Sequence, residues 1–119
     1  MSTKPSQLRQ IVAALPRLVD GIERDLREVC SRMKALEKNG LVYATEHWRD
    51  DRYLYLIYPM TGGDRRREYV GADSVKIAEA RAGIERGREF DELAGRLKQI
   101  EGRLQRGAAA LQQAKRELG

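Results

Sequence analysis

Arg52 to Val70 is the part of this chain that looks like β-sheet, and within it six consecutive apolar or aromatic residues, Tyr53 to Tyr58, have strand composition. Gly62-Gly63 follows, and two glycines suit the positive φ angles of a tight hairpin. A hairpin centred on them sets Tyr58 opposite Arg67 and Leu56 opposite Tyr69. One face then carries Leu54, Leu56, Tyr58, Arg67 and Tyr69, and the other carries Tyr53, Tyr55, Ile57, Glu68 and Val70. Both faces are partly apolar, so helices are expected over one, and a second copy of the chain or a ligand over the other. Pro59 cannot donate a ladder hydrogen bond, which predicts a strand edge or a bulge beside it. Leu41 to Trp48 offers a third strand, with Arg49-Asp50-Asp51 as the turn joining it to the second.

Both flanks read as helix. In residues 4–38 apolar side chains recur at Leu8, Ile11, Leu15, Leu18, Ile22, Leu26, Val29, Met33 and Leu36, in steps of three and four with one phase shift. Thr3 or Ser6 is a cap for this helix, and Pro5 suits its first turn. Pro16 predicts a kink or a restart, since an interior proline costs ~3 kcal/mol. Asn39-Gly40 is a helix stop. In residues 73–118, Asp73 or Ser74 caps a second helix. From Phe90 its seam is Phe90, Leu93, Leu97, Ile100, Leu104, Gly107, Leu111, Ala114 and Leu118, a coiled-coil pattern. The phase changes at Gly83 to Gly87, where a bend is expected. Unbroken, this helix is ~69 Å long and its partner helix roughly 50 Å, which leaves part of the seam uncovered and points to self-association.

The chain is read as one domain of 119 residues, with a net charge of +5. Residues 4–38 hold eight basic and five acidic groups, residues 41–70 five of each, and residues 73–118 ten and eight. Two local concentrations stand out: Arg65-Arg66-Arg67, and the chain end with Arg96, Lys98, Arg103, Arg106, Lys115 and Arg116. Such a balance permits nucleic-acid binding without requiring it. A single cysteine, Cys30, excludes an internal disulfide and a cysteine-based metal site, and its place beside Val29 suggests a small buried side chain. No stretch has the ~18 apolar residues of a membrane span, and no signal-peptide core opens the chain. A cytoplasmic protein without a membrane partner is expected.

Two likenesses follow from the order helix, sheet, helix. The run Tyr53-Leu-Tyr-Leu to Gly63, then Arg65-Arg-Arg-Glu-Tyr-Val70, then a charged helix through Phe90-Asp-Glu-Leu93, resembles an uncharacterised family of small bacterial proteins often found with mobile elements. The sheet with Gly-Gly, basic residues and a following helix also looks like the arm-type DNA-binding domains of phage integrases, which lay a three-stranded sheet on the DNA groove. That likeness implies Arg49, Arg52, Arg65, Arg66, Arg67 and Tyr69 as DNA contacts.

The residues themselves support binding chemistry more than catalysis. Arginines offer forked donors to phosphate, although such a run also protects an edge strand from aggregation. Tyr53, Tyr55, Tyr58 and Tyr69 are able to stack on bases or anchor a protein partner, and strand propensity alone also accounts for tyrosine here. His47 beside Trp48 lacks a nucleophile and an orienting group in sequence, so a structural role is expected. Asp50-Asp51 lacks further metal ligands. The expectation is a mainly α fold: two long helices in an antiparallel coiled-coil hairpin with a two- or three-stranded antiparallel sheet between them. Its function would be non-enzymatic DNA binding by a homodimer in a bacterial chromosome or mobile element, with no cofactor or metal. Arg49, Arg52, Tyr55, Tyr58, Arg65, Arg66, Arg67 and Tyr69 would form the contact surface. The alternative is a coiled-coil adaptor or inhibitor, phage-encoded, binding another protein through the same sheet.

Overall fold

A computed structural model describes residues 2–119. In chain order the elements are α1 (Pro5–Asn39), β1 (Thr45–Arg49), β2 (Tyr53–Ile57), β3 (Arg67–Gly71) and α2 (Ser74–Leu118). The expected class holds: two long helices with a small antiparallel sheet between them in chain order. The sheet has three strands in the order β1-β2-β3.

Local chemistry sets the helix ends. The start of α1 is capped by neither Thr3 nor Ser6. Gln7 reaches back so that its Oε1 accepts from the Lys4 N–H at 2.9 Å, and Pro5 takes the first helical position, where no N–H is needed. α1 then runs through Pro16 without a restart. At its end Gly40 has φ +95° and donates to the Glu37 carbonyl at 3.1 Å, the left-handed stop that Asn39-Gly40 predicts. Asp73 caps α2, accepting from the Val75 N–H at 3.3 Å.

The chain divides into two compact units. One holds the chain up to Arg32 together with Gly95–Gly119, and the other spans Met33–Ala94. In the first, segments of α1 and α2 bury Val29 and Ile100 to 1% and 3% exposure. Other seam positions in this unit are uncovered: Leu8, Ile11 and Leu18 on α1, and Leu104, Leu111 and Leu118 on α2, are exposed, as are Val12 and Val19 beside the α1 seam. Cys30, expected inside, is also exposed. One residue on from Val29 is a turn of ~100° around the helix, which carries the thiol off the covered stripe.

The second unit contains the sheet, and its hairpin departs from the expected register. Thr61 and Asp64 exchange backbone hydrogen bonds of 3.0 and 3.1 Å across Gly62-Gly63, whose φ angles are +61° and +88°. The turn is therefore where the glycines place it. Further back, the Tyr58 N–H donates to the Arg66 carbonyl at 3.0 Å, so Pro59 and Met60 together oppose Arg65 alone. Proline has no N–H for the ladder, and the strand bulges there. The slip of one residue pairs Ile57 with Arg67, Leu56 with Glu68 and Tyr55 with Tyr69. Arg67 and Tyr69 thus move to the face of Tyr55 and Ile57, and Glu68 moves to the face of Leu56. The β1–β2 turn is tight as well, with Asp50 and Asp51 both at positive φ and the Arg52 N–H donating to the Arg49 carbonyl at 3.2 Å. Aspartate tolerates that conformation better than most residues.

Gly83 and Gly87 have a role that a weak-helix reading misses. α2 is one helix through both. The connection between α1 and β1 lies against them: the Val42 N–H donates to the Gly83 carbonyl at 3.1 Å. A Cβ on Gly83 would stand 2.6 Å from the Val42 Cγ2, and one on Gly87 would stand 3.0 Å from the Val42 carbonyl oxygen. Arg86, between them, donates from Nε to the Gly40 carbonyl at 2.7 Å. The glycines are close-approach seats, and they hold the first strand to the helix. Gly83→Ala should therefore destabilise the fold by about 1–3 kcal/mol through overpacking, although alanine favours helix by ~1 kcal/mol. Gly95→Ala, with nothing within 4 Å of its Cβ, should stabilise it. Urea unfolding of the two variants checks the opposite signs.

Candidate functional site

Alternation along the three strands sorts their side chains into two chemically distinct faces. Cross-strand partners share a face, so Leu54 lies with Trp48, and Leu56 with Glu46 and Glu68. This inner face holds the core: Leu54 is fully buried and Leu56 nearly so. It turns to α2, where Arg81 donates from Nε to Glu46 Oε1 at 2.9 Å and sets its guanidinium 5.3 Å from the centre of the Trp48 ring. Trp48 Nε1 donates to the same carboxylate at 3.3 Å. The hydrogen bond from Arg81, and then that from Trp48, hold the Glu46 carboxyl below its ordinary value, against the opposing effect of burial.

The outer face carries Thr45, His47 and Arg49 from β1, Tyr53, Tyr55 and Ile57 from β2, and Arg67 and Tyr69 from β3. No strand position on this face is a carboxylate. Both strand-borne acids, Glu46 and Glu68, stand on the inner face. Tyr55 and Tyr69 form a tilted ring pair with centroids 5.0 Å apart and planes at 54°. Tyr69 also lies across Gly71, where a Cβ would stand 3.5 Å from its hydroxyl oxygen, and it is still 59% exposed. A shallow hollow of about 330 Å³ is lined by Arg49, Asp50, Tyr53, Tyr55 and Tyr69, with Asp50 the acid at its turn end. Arg52, in the same turn, sets its guanidinium 5.7 Å from the Tyr53 ring centre.

The arginine run does not act as one cluster. Arg67 is on the outer face, opposite Ile57. Arg66 stacks its guanidinium 4.1 Å from the centre of the Tyr58 ring, and the Tyr58 hydroxyl donates to Glu68 Oε2 at 2.8 Å. Burial, then the bond to Glu68, raise the Tyr58 phenol above its ordinary value, with Arg66 pulling the other way. Arg65 lines a separate hollow of about 510 Å³, bounded also by Tyr43, Ile57, Pro59, Ile84 and Asp91. There the Tyr43 hydroxyl donates to Asp91 Oδ1 at 3.0 Å.

Of the residues singled out in the sequence, the fold thus gathers Arg49, Arg52, Tyr55, Arg67 and Tyr69 on or beside one surface, and turns Tyr58, Arg65 and Arg66 elsewhere. Tyr53 belongs with the first set. So does His47, expected to be structural, which is exposed opposite Tyr55. The alternation of Thr-Glu-His-Trp-Arg against Tyr-Leu-Tyr-Leu-Ile was the signal for both. Among the described residues no group of three or more His, Cys, Asp or Glu side chains is placed to hold a metal ion. No helix among them is long and apolar enough to cross a membrane.

The Glu46–Arg81 pair links the sheet to α2 and gives a pH dependence with a definite sign. A carboxyl whose folded pKa is lowered contributes stability that is fully present above its unfolded value and is lost as pH falls through the folded one. Glu46→Gln should therefore lower Tm at neutral pH and flatten the loss of Tm between about pH 5 and pH 3, read by circular dichroism melts of both proteins.

No family model matches the chain, and no curated protein and no solved structure is recognisably similar to it.

Proposed function

We propose that this is a non-enzymatic DNA-binding protein whose contact surface is the outer face of the sheet. One observation carries the reading: both carboxylates on the strands share the face of Leu54 and Leu56, while arginine, histidine and tyrosine share the other. A face of that chemistry meets a polyanion without like-charge repulsion from its own strands, and Arg49 and Arg67 offer forked donors to phosphate. The wider field has another source. The unit containing the sheet, Met33–Ala94, holds eleven basic and twelve acidic residues, whereas the helical unit holds twelve basic and six acidic. The helical segments thus supply general attraction to DNA, and the sheet supplies placed contacts.

The same reading includes homodimer formation through the helical segments. Six seam leucine and isoleucine side chains on α1 and α2, with Val12 and Val19 beside the α1 seam, are exposed, and apolar exposure of this kind is what an association surface presents. A second copy presents the same spacing of apolar residues, but also the same excess of positive charge.

Fluorescence anisotropy of a labelled duplex at ~50 and ~200 mM salt tests the first part. Micromolar binding that falls steeply with salt is expected. The double variant Arg49→Ala/Arg67→Ala should weaken it by roughly tenfold or more and lower the log–log salt slope by about 2. Arg66→Ala, removing a guanidinium held on Tyr58, should do less. No binding of any oligonucleotide at the lower salt, or unchanged affinity in the double variant, would pass the outer face to a protein partner.

Self-association responds to salt in the opposite sense, because screening relieves repulsion between two basic surfaces. Sedimentation equilibrium should show a dimer that tightens with added salt. Ile11→Glu or Leu18→Glu should shift it to monomer without loss of helix signal; a monomeric parent protein at ~100 µM would overturn this part.

A further inference from the structure

We infer that the outer face is built for single-stranded nucleic acid, with unstacked bases lying on Tyr53, Tyr55 and Tyr69. This rests on the nucleic-acid reading above and names its ligand class more narrowly.

The first argument is the chemistry of the central strand. β2 contributes Tyr53, Tyr55 and Ile57 to the outer face, and β2 lies between β1 and β3. Polar side chains, Thr45, His47, Arg49 and Arg67, come from the two edge strands. A duplex offers polar base edges in its grooves and phosphates outside, and it hides the base planes. Against the middle of this face those edges would lose water to aromatic carbon and find few donors. A single strand offers base planes, which stack on aromatic rings whatever the base.

The second argument is the state of the rings. Tyr55 and Tyr69, at 5.0 Å and 54°, are tilted and not stacked flat on one another. Tyr69 remains 59% exposed although Tyr55 and Gly71 support it, so it is placed and also accessible. Tyr53 lines the same hollow, with Arg49 beside it. Three rings and a guanidinium on one half of the face make a platform with a phosphate contact at its edge.

Spacing is the third. Successive outward positions on a strand lie roughly 6.7 Å apart. Stacked bases in a duplex rise only ~3.4 Å per step. A ring at each position takes a base face only where neighbouring bases have parted by about two such steps, which an extended single strand is free to do.

The test compares three labelled probes of one mixed sequence about ten nucleotides long: single-stranded DNA, single-stranded RNA and the DNA duplex. Anisotropy is measured with the full chain. Either single strand should bind at least tenfold tighter than the duplex. An order of DNA over RNA, or the reverse, supports the inference and identifies which strand is the source. Tyr69→Ala should lose roughly 5- to 100-fold in single-strand affinity with an unchanged salt slope, because a stacking contact releases no counterions. Tyr69→Phe, which keeps the ring, should stay within about twofold. Tyr69 is the variant of choice because its exposure leaves the core intact; Tyr55→Ala is a second, checked by its melting curve. Duplex binding equal to or tighter than single-strand binding, still dependent on Arg49 and Arg67, would overturn this inference and leave the DNA reading standing. No binding by any of the three probes would end both.

Discussion

The burial of Leu54 and Leu56 decides the rest of the sheet. A strand has two faces and a side-chain period of two, so committing two leucines to the core commits every other strand residue as well. Glu46, Trp48 and Glu68 go inward with them, and Arg49, Tyr53, Tyr55, Arg67 and Tyr69 go outward. Inward polar groups have partners: Glu46 has Arg81 and Trp48, and Glu68 has Tyr58. Among the described residues no buried side-chain nitrogen or oxygen lacks a hydrogen bond. The chemical asymmetry of the sheet is therefore a by-product of packing, and it is also what gives the outer face its character.

The sheet is tied to α2 by groups that allow close approach. Gly83 and Gly87 present backbone where Val42 and Tyr43 arrive, and Arg86 reaches the carbonyl at the end of α1. In a chain with few aromatic residues, this is how a small unit gains density: backbone against backbone, with long cationic side chains laid over the seams. Arg81 on Trp48 and Arg66 on Tyr58 follow the same pattern. These guanidiniums are part of the scaffold, which is why an arginine count overstates the charge available to a ligand.

The helical segments obey a different rule. Their apolar stripe has the spacing of a coiled coil, yet much of it stays uncovered within one chain. The charge on the same segments is predominantly positive. In the proposed function, attraction to a polyanion and apolar association would both reside in these segments, and ionic strength would separate them, since it screens one and strengthens the other.

Secondary structure was legible in the chain alone. Three-and-four spacing marks both helices, the Tyr53–Tyr58 run marks the central strand, and Gly40, Asp73 and Gly62-Gly63 mark the breaks, because each reflects a local preference of φ and ψ or a local period. Tertiary structure decided three matters. The bulge at Pro59 and Met60 shifted β3 by one residue and exchanged the faces of Arg67, Glu68 and Tyr69. Contact with Val42 turned Gly83 and Gly87 from weak helix formers into seats. Stacking on Tyr58 withdrew Arg66 from the basic run. None of these is a property of neighbours in sequence. A register, a close approach and a ring contact each depend on where a distant residue stands, and local propensity carries no record of that distance.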